Sequence, residues 1–416
     1  MINKKQKISV IGLGYIGLPT AAVIASRGLE VIGVDVRPEI VDGLNRGDIH
    51  IVEPDLDMLV RGAVFSGQFR ATLTPEAADV FLIAVPTPFK GDYEADLSYV
   101  ETAGRSIAVV LKAGDLVILE STSPVGATEK LEQWLVESRP DLSFPCQAGE
   151  ASDIHIAYCP ERVLPGYVIN ELVANDRVIG GLTTTSTKRA TAFYKIFVEG
   201  NCLATNARTA EMAKLTENAF RDVNIAFANE LSLICDRLGI DTWELIELAN
   251  HHPRVNILQP GPGVGGHCIA VDPWFIVDSA PDLAHLIRQA RQVNDGKPQW
   301  VIDKIKAAAK SFAYPKIACL GLSFKPNIDD LRESPALGIT VRLAHEIEGK
   351  IIAVEPYVDV LPVELAQIKN VELRDTESAI AEADIVVLLV NHECFLNIDR
   401  QLLDSKIIID TRGAWR

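Results

Sequence analysis

The chain has 416 residues, of which 48% are hydrophobic and 23% are charged. This length and composition predict a globular protein of two or three domains with an ample hydrophobic core, and they exclude a disordered chain. Its 40 Lys and Arg residues against 56 Asp and Glu residues give a formal net charge of -16, which argues against general binding to nucleic acid or to anionic membranes. We therefore expect any anionic ligand to be held by a few individually placed cations.

The sequence also carries information on the cellular compartment. Its apolar runs are far shorter than the roughly 20 residues that a membrane-spanning helix needs. The polar stretch Met1 to Lys7 leads directly into a predicted strand and has no signal-peptide core, so we expect a cytoplasmic protein. The seven cysteines are widely spaced without a Cys-x-x-Cys pair, which argues against a zinc ribbon or a disulfide framework.

The first part of the chain alternates predicted strands with helices. Lys7–Ile11 is predicted to be a buried strand, a glycine-rich turn leads into the helix Thr20–Arg27, and Glu30–Val34 forms the next strand. Val80–Val85 and Leu116–Leu119 are further apolar runs that precede turns. This alternation predicts a doubly wound parallel sheet, in a domain that extends to about residue 200.

The middle of the chain contains a long predicted helix. From Thr209 to Leu238 there is neither proline nor glycine, apolar residues recur at helical spacing, and Gly239 follows as a stop signal. A helix of this extent is about 45 Å long, which favours a connection between two domains or a dimer seam. A single long core helix within one domain is the alternative.

One face of this helix is polar. Glu211, Lys214 and Asn218 lie at positions i, i+3 and i+7, and Arg221 and Asn224 extend roughly the same face. Such a face is either solvated or lines a polar cleft, and the sequence leaves both interpretations open.

The final third returns to alternating strands and helices. Strands are predicted at Lys316–Gly321, Lys350–Glu355, Ile385–Val390 and Lys406–Asp410, with a helix at Ala336–Glu348. This pattern predicts a second doubly wound, Rossmann-like domain.

The predicted organisation therefore has three parts. Residues 1–200 form the first sheet domain, residues 201–300 form a helical middle region that contains the long helix, and residues 301–416 form the second sheet domain. In such folds ligands bind at the carboxyl ends of the strands, so we expect a ligand cleft between the sheet edges.

The glycine-rich turn after the first strand predicts a dinucleotide site. Gly12 permits a tight turn, Gly14 lets the backbone approach a pyrophosphate, and Gly17 allows close helix packing. Asp35, at the end of the second strand, suits ribose hydroxyls and repels a 2'-phosphate, so NAD is favoured over NADP. Arg37 could instead neutralise a 2'-phosphate, and a glycine turn without any nucleotide is the remaining alternative.

Cys268 lies in the glycine-rich segment Gln259–Pro273, where a backbone with little steric bulk can approach a ligand. A thiolate there could attack a carbonyl group, although most isolated cysteines are small buried hydrophobic residues. His251, His252 and His267 could form a metal site with this thiol, but no tetrahedral ligand spacing is evident, so we expect no metal.

Two cations follow the first strand of the second sheet domain. Lys325 and Arg332 lie at its expected ligand end, where they suit phosphate groups. Ion pairing with Asp329, Asp330 and Glu333 at the surface is the alternative.

Several of these segments together resemble the UDP-glucose/GDP-mannose dehydrogenase family over nearly the whole chain. The segments that carry the resemblance are Gly12–Pro19, Val85–Pro88, Glu120–Gly126, Cys159–Arg162, Glu211–Asn218 and Gly265–Cys268, with Asp272, Phe324, Lys325 and Arg332. The longer string His252–Cys268, with His267 where glucose-specific relatives commonly carry serine, is most similar to members that act on N-acetyl-D-mannosamine.

The resemblance implies an enzyme with an N-terminal NAD domain, a helical dimerisation region and a C-terminal UDP-sugar domain. The implied reaction is the four-electron oxidation of the C6 hydroxyl of UDP-N-acetyl-D-mannosamine to the uronate, with two NAD per turnover, for surface polysaccharide. UDP-N-acetylglucosamine or UDP-glucose are alternative substrates. A non-catalytic protein that binds NAD and UDP-sugar is the alternative from another functional class.

The resemblance also assigns roles to individual residues. Cys268 would form a thiohemiacetal and then a thioester, Lys214 would act as proton acceptor or oxyanion partner, and Asp272 and Glu161 would assist proton transfer and hydrolysis. The implied NAD contacts are Gly12, Gly14, Tyr15, Ile16, Gly17, Asp35, Thr87 and Thr122. The implied substrate contacts are Arg162, Val163, Lys214, Asn218, Arg221, His252, Arg254, Gly265, Phe324, Lys325 and Arg332, part of which would reach across a homodimer.

Overall fold

A computed structural model describes residues 6–91, 93–164, 166–266 and 268–416. The chain divides into two compact units, the first ending at Glu217 and the second beginning at Asn218. His267, which marks the predicted substrate choice and was an alternative metal ligand at a site where no metal is expected, lies outside the described residues. Within the described ranges, no helix is both long enough and apolar enough to cross a membrane.

The first unit is built on a large β-sheet with helices packed against it. Its strands are β1 (Lys7–Ile11), β2 (Glu30–Val34), β3 (Phe69–Thr72), β4 (Val80–Ile83), β5 (Phe89–Lys90), β6 (Glu94–Ala95), β7 (Leu116–Leu119), β8 (His155–Tyr158), β9 (Arg177–Gly181) and β10 (Cys202–Asn206). Its helices are α1 (Gly17–Ser26), α2 (Pro38–Arg46), α3 (Leu56–Phe65), α4 (Ser98–Ala108), α5 (Ala127–Ser138), α6 (Pro145–Ala148), α7 (Val168–Ala174) and α8 (Thr184–Tyr194).

The strand order in this sheet is β10-β9-β8-β7-β4-β1-β2-β3, and β5 pairs separately with β6. Pairing in the large sheet is parallel except between β8 and β9, which are antiparallel. Strands β4, β7 and β8 are buried along their whole length, as expected when helices cover both faces of a parallel sheet. The chain runs outward from β1 in one direction and from β4 in the other, so the carboxyl ends of these two neighbours form a switch point where ligands bind.

The second unit has the same design on a smaller scale. Its helices are α9 (Ala207–Leu238, which begins in the first unit), α10 (Thr242–Asn250), α11 (Asp272–Ser279), α12 (His285–Ala309), α13 (Pro335–Glu346), α14 (Val363–Ala366), α15 (Thr376–Glu382) and α16 (Glu393–Leu396). Its strands are β11 (Lys316–Leu320), β12 (Lys350–Val354), β13 (Val371–Leu373), β14 (Ile385–Leu388) and β15 (Ile407–Asp410). They form a parallel sheet in the order β13-β12-β11-β14-β15, whose switch point lies between β11 and β14.

Helix α9 has 32 residues and a length of about 48 Å. It departs from an ordinary surface helix, because several polar side chains are buried beside apolar ones and several large apolar side chains are exposed. The buried polar residues are Glu211, Asn218, Asp222, Asn229 and Ser232. The exposed apolar residues are Met212, Phe220, Phe227, Ile234 and Leu238. The interpretation of Glu211 and Asn218 as part of a solvated face is therefore wrong, whereas Arg221 is exposed.

The predicted fold class, α/β with two doubly wound Rossmann-like sheets and a long central helix, is confirmed. Strands β1, β2 and β7 have the predicted bounds. The strand predicted at Lys316–Gly321 ends one residue earlier, because Gly321 has a φ of +91°, outside the β region. The predicted domain boundaries near residues 200 and 300 stay a prediction.

Candidate active site

The glycine-rich turn after β1 is shaped by two close approaches and one open position. Gly12 has a φ of +92°, and a Cβ atom there would lie 2.6 Å from the carbonyl oxygen of Ala84, just after β4. A Cβ atom on Gly17 would lie 1.8 Å from the carbonyl oxygen of Gly12, so neither position accepts a side chain. A Cβ atom on Gly14 would meet nothing within 4 Å. The turn thus leaves space above Gly14, at the start of α1, where a pyrophosphate would find free backbone N–H groups.

Asp35, at the end of β2, is bonded to the same turn. Its Oδ2 accepts a hydrogen bond from the Leu13 N–H at 3.2 Å, and its Oδ1 accepts from the backbone N–H (3.1 Å) and Nε (3.2 Å) of Arg37. Burial alone would raise the pKa of Asp35, but these hydrogen bonds and the charge of Arg37 outweigh it and leave the pKa below its ordinary value. Asp35 is therefore ionised near neutral pH and suits ribose hydroxyls, so the turn and this carboxylate fit NAD. Arg37, the candidate partner for a 2'-phosphate, is paired with Asp35.

The remaining sequence-predicted cofactor residues surround this switch point. Tyr15 and Ile16 belong to the turn itself, with Tyr15 exposed and Ile16 half-buried. Thr87 follows β4 and Thr122 follows β7, and the Thr87 hydroxyl donates a hydrogen bond to the Thr122 carbonyl oxygen at 2.5 Å. The structure thus brings these two threonines together at the carboxyl ends of neighbouring strands.

Glu161, just beyond β8, is held in place by a buried arginine. Arg177 at the start of β9 is 1% exposed, and its Nη1 lies 2.6 Å from Glu161 Oε2. The other Glu161 oxygen accepts a hydrogen bond from the Arg162 N–H at 2.6 Å. The Arg162 guanidinium pairs with Glu217 at 2.7 Å, and Val163 packs against the core, so this segment is anchored within the first unit.

A second buried carboxyl group lies close to this ion pair. Glu120, just beyond β7, accepts a hydrogen bond from the Tyr194 hydroxyl at 2.6 Å. Burial raises the pKa of Glu120 to about 7, although the positive charge of Arg177 opposes the shift. Neither Arg177 nor Tyr194 is predicted from the sequence, because nothing in their local segments indicates that they contact Glu161 and Glu120.

The predicted catalytic cysteine of the second unit is exposed and precedes α11. The backbone N–H of Asp272, the first residue of that helix, donates to the Cys268 carbonyl oxygen at 2.9 Å. Asp272 is buried, and its Oδ2 accepts a hydrogen bond from Asn218 Nδ2 at 2.5 Å. The structure therefore brings Asn218, Asp272 and the segment of Cys268 together. Lys214, one turn before Asn218 on α9, is half-buried.

The glycines before Cys268 pack against the loop that follows β11. A Cβ atom on Gly265 would lie 2.4 Å from the carbonyl oxygen of Glu333, and one on Gly266 would lie 3.0 Å from the Phe324 ring. Glu333 itself has a φ of +51°, a strained conformation for a non-glycine residue. The predicted contacts Gly265 and Phe324 are thus brought together, and only glycine fits this packing.

The predicted phosphate-binding cations differ in their surroundings. Arg332 forms a bidentate ion pair with Asp330, with distances of 2.8 and 2.6 Å, which matches the surface-pairing alternative. Lys325 is half-buried in the same loop. His252 and Arg254 lie on an exposed stretch after α10, where the Arg254 N–H donates to His252 Nδ1 at 3.3 Å.

The switch point of the second sheet repeats the geometry of the first. Gly321 follows β11 with a φ of +91°, and Glu355 follows β12 in the position that Asp35 has after β2. Glu355 Oε2 accepts a hydrogen bond from the Leu322 N–H at 2.7 Å and lies 3.2 Å from Nε2 of the buried His392. Glu355 and His392 are not predicted from the sequence, although an acid at the end of the second strand of the repeat is a usable signal.

No group of three or more His, Cys, Asp or Glu side chains within the described ranges is arranged to hold a metal ion.

Comparison with known proteins agrees with this geometry. Three models of the UDP-glucose/GDP-mannose dehydrogenase family match the chain: the NAD binding domain at residues 6–198, the central domain at 208–296 and the UDP binding domain at 318–416. An NDP-N-acetyl-D-galactosaminuronic acid dehydrogenase from Ralstonia nicotianae is 64% identical over 99% of this chain and 96% of its own. A UDP-N-acetyl-D-mannosamine dehydrogenase from Yersinia pestis is also 64% identical, over 99% of both chains.

Solved structures extend the comparison to the whole fold. A UDP-D-ManNAc dehydrogenase from Pyrococcus horikoshii has a TM-score of 0.88 and 38% identity, covering 99% of this chain and 96% of its own. Fold and site together define an oxidoreductase, an NAD-dependent UDP-sugar dehydrogenase. The chain belongs to the UDP-glucose/GDP-mannose dehydrogenase family.

Proposed function

We propose that this protein oxidises the C6 hydroxyl of UDP-N-acetyl-D-mannosamine to the carboxylate, using two NAD per sugar and a covalent intermediate on Cys268. The observation that carries the proposal is the exposed Cys268 at the entrance of α11, next to an Asp272 that Asn218 holds at 2.5 Å. A single oxidation to an aldehyde needs no thiol. A four-electron oxidation does, because the aldehyde must be retained until the second hydride is removed.

The proposed sequence balances atoms and electrons. When bound, NAD supplies the hydride acceptor for each of the two oxidations at C6. In the first oxidation, Lys214 accepts the proton of the C6 hydroxyl or stabilises the oxyanion, and an aldehyde forms. The Cys268 thiolate then adds to the aldehyde carbon and the oxygen takes up a proton, giving a thiohemiacetal. Loss of a second hydride and of the hydroxyl proton gives a thioester, whose hydrolysis by water breaks the C–S bond and releases the acid and the thiolate.

For the hydrolytic step we assign Asp272 ahead of Glu161. Glu161 is bonded to Arg177 and to the Arg162 N–H within the first unit, whereas Asp272 lies four residues after Cys268 in the second. Asp272 Oδ2 has the Asn218 amide as its partner, and its backbone is bonded to the Cys268 carbonyl. Asp272 thus lies one helical turn from the proposed thioester, with Asn218 able to orient a water molecule.

Substrate choice is tested by comparing UDP-sugars. We expect the highest kcat/KM with UDP-N-acetylmannosamine, ahead of UDP-N-acetylglucosamine and UDP-glucose. UDP-N-acetylgalactosamine is the second candidate, because the N-acetylgalactosaminuronic acid dehydrogenase is as similar to this chain as the N-acetylmannosamine enzyme, at 64% identity. A higher kcat/KM with any other sugar would replace N-acetylmannosamine as the assigned substrate.

The covalent step is tested by Cys268→Ser. We expect loss of acid formation with NAD binding unchanged, because the glycine turn and Asp35 lie in the first unit. Cys146→Ser is the matched control, since Cys146 is also an exposed residue. Partial desolvation of its thiol and the nearby Glu132 raise the pKa of Cys146, which disfavours the thiolate. Acid formation by the Cys268→Ser variant at the wild-type rate would rule out covalent catalysis.

We also propose that the active form is a homodimer. Phe220, Phe227 and Ile234 follow one another at seven-residue intervals on α9 and are 71%, 54% and 46% exposed, an apolar stripe suited to a second copy. The exposed His252 and Arg254 are then candidates to contact the sugar nucleotide bound to the partner. Sedimentation of the wild type and of Phe227→Glu tests this: a monomeric wild type would exclude the dimer.

The proposed setting is the cytoplasm, where NAD and reduced thiols are both present, and the acidic sugar product would serve surface polysaccharide. Lys325 and Arg332 are proposed to bind the diphosphate, with Arg332 exchanging its Asp330 partner for the diphosphate of the substrate. A strain that lacks the protein is expected to lose aminohexuronate from its surface polysaccharide, and unchanged sugar composition would contradict this role.

A further inference from the structure

A buried polar network joins α9 to α12 in the second unit, away from the residues assigned above. Asn229 on α9 is completely buried; its Oδ1 accepts a hydrogen bond from the Gly261 N–H at 2.9 Å, and its Nδ2 donates to Asn294 Oδ1 at 2.9 Å. Gly261 belongs to the glycine-rich segment that ends at Cys268. The network therefore bonds the backbone of the thiol-bearing loop.

The orientation of these amides is fixed by their neighbours. Asn294 Nδ2 donates to the Asp222 carboxylate at 2.7 Å and to the Asp222 carbonyl oxygen at 3.1 Å. Arg291 Nη1 donates to the same Asp222 oxygen at 2.5 Å, so this atom is an acceptor only. Asn294 must therefore turn its oxygen towards Asn229, and Asn229 must turn its own oxygen towards Gly261. Each amide has one orientation that satisfies all donors.

The same face of α9 holds the other end of the loop. Asn218 lies 11 residues before Asn229, about three helical turns away, and bonds Asp272 just after Cys268. The loop is thus bonded to one helix before and after the thiol, at Gly261 and at Asp272. An added Cβ atom on Gly261 would lie 2.5 Å from Arg412 Nη1, so the Arg412 guanidinium packs closely against this glycine.

We propose that Asn229 and Asn294 are positioning residues for the Cys268 thiol, a role that rests on the proposed function of Cys268. Fixing Gly261 limits the positions open to Cys268, four residues before the start of α11, and the reactivity of a thiol depends on its position relative to a helix amino terminus. Without the Asn229 bond, the loop loses its hydrogen bond to α9 before the thiol and keeps the packing of Gly265 and Gly266 and the bond at Asp272. A displacement of about 1 Å at a reacting group is enough to slow a reaction by about 100-fold.

The test separates positioning from stability. In Asn229→Ala we expect alkylation of Cys268 by iodoacetamide at pH 7, followed by peptide mass spectrometry, to slow about 3-fold. We expect kcat to fall about 10- to 100-fold, with the Kd for NAD unchanged. Asn294→Ala keeps the Gly261 bond but frees the Asn229 amide to turn, so its effects are expected to be smaller. The double variant is expected to match Asn229→Ala in kcat, because both residues act through one contact.

Asn370→Ala is the matched control for lost stability. Asn370 Nδ2 bonds the carbonyl oxygens of Ala344 and Gly349 at 3.0 Å, remote in sequence from the loop. The Asn370→Ala variant should have a lower Tm than the wild type, whereas its rate of Cys268 alkylation and its kcat should be unchanged. The inference is overturned if alkylation is unchanged in both network variants, or if kcat follows the Tm across all variants, control included.

Alkylation needs no substrate, so the inference can be decided independently of the reaction. If the wild type forms no acid from any UDP-sugar, the proposed function fails, and the alkylation comparison still decides whether Asn229 positions the thiol. If Asn229→Ala does not fold, Asn294→Ala with the same readouts decides it.

Discussion

Glu120→Gln isolates the buried carboxyl group beside the Arg177–Glu161 ion pair. Glu120 is almost completely buried, and its Oε1 accepts a hydrogen bond from the Tyr194 hydroxyl at 2.6 Å. Glutamine has nearly the same shape and keeps an oxygen acceptor for Tyr194, but it cannot ionise. The substitution therefore removes one buried titratable group with little change in packing.

The magnitude follows from the two pKa values of this carboxyl group. Burial raises the pKa of Glu120 in the folded protein to about 7, from an ordinary value of 4.5. Between these pH values the folded protein holds a proton that the unfolded chain releases, so stability falls as the pH rises from 4.5 to about 7 and levels off above that. One pKa unit corresponds to about 1.4 kcal/mol, so the penalty well above pH 7 is on the order of 3 kcal/mol. Glu120→Gln is expected to recover this stability at pH 8.5 and to change little at pH 4.5.

The assay is hydrogen exchange by mass spectrometry on peptides that contain β7, in wild type and variant, across this pH range. Exchange reports the stability of the first unit separately from the second. Glu101→Gln is the control, because Glu101 is surface-exposed in an i,i+4 pair with Arg105 that contributes at most about 0.5 kcal/mol. If the free energy of opening depends on pH equally in wild type and Glu120→Gln, Glu120 is not the titrating group.

Three further predictions follow from the same structure. Gly12→Ala is expected to disrupt the first unit and abolish NAD binding, whereas Gly14→Ala should fold normally and bind NAD more weakly; calorimetry and NAD titration distinguish them. Burial lowers the pKa of Lys297 from 10.5 to about 7, with the charge of Lys304 as a smaller cause, so stability should rise with pH between these values. Lys297→Met should raise the Tm at pH 7. A difference in Tm between variant and wild type that does not shrink towards pH 10 would contradict this. Arg177→Met should cost about 3–5 kcal/mol by leaving the Glu161 carboxylate unpaired; denaturation of the double variant with Glu161→Gln should show clearly less than additive loss.

The sequence was most informative where chemistry depends on local spacing. The first glycine turn, its following helix and Asp35 lie within 24 residues, so their contacts follow from chain order and from the rules for βαβ units. Cys268 and Asp272 lie only four residues apart, so their proximity also follows from chain order. Here the structure adds hydrogen bonds to a predicted arrangement.

The sequence was least informative where partners come from distant segments. Nothing near Arg177 predicts that it bonds Glu161, because the contact depends on how β8 and β9 pair in the sheet. The polar stripe of α9 predicted either a solvated face or a polar cleft, and only the packing of α12 shows that Asn229 and Asn294 bond each other. Long-range pairing of buried polar groups has no local sequence signature.

The stoichiometry of NADH to sugar tests the central claim most directly. Purified protein would be supplied with excess NAD and a limiting, known amount of UDP-N-acetylmannosamine, and NADH would be followed by its absorbance until the reaction is complete. We expect two NADH for each sugar and a uronate as the only oxidised product. One NADH per sugar with release of an aldehyde, or no NADH with any UDP-sugar, would contradict it.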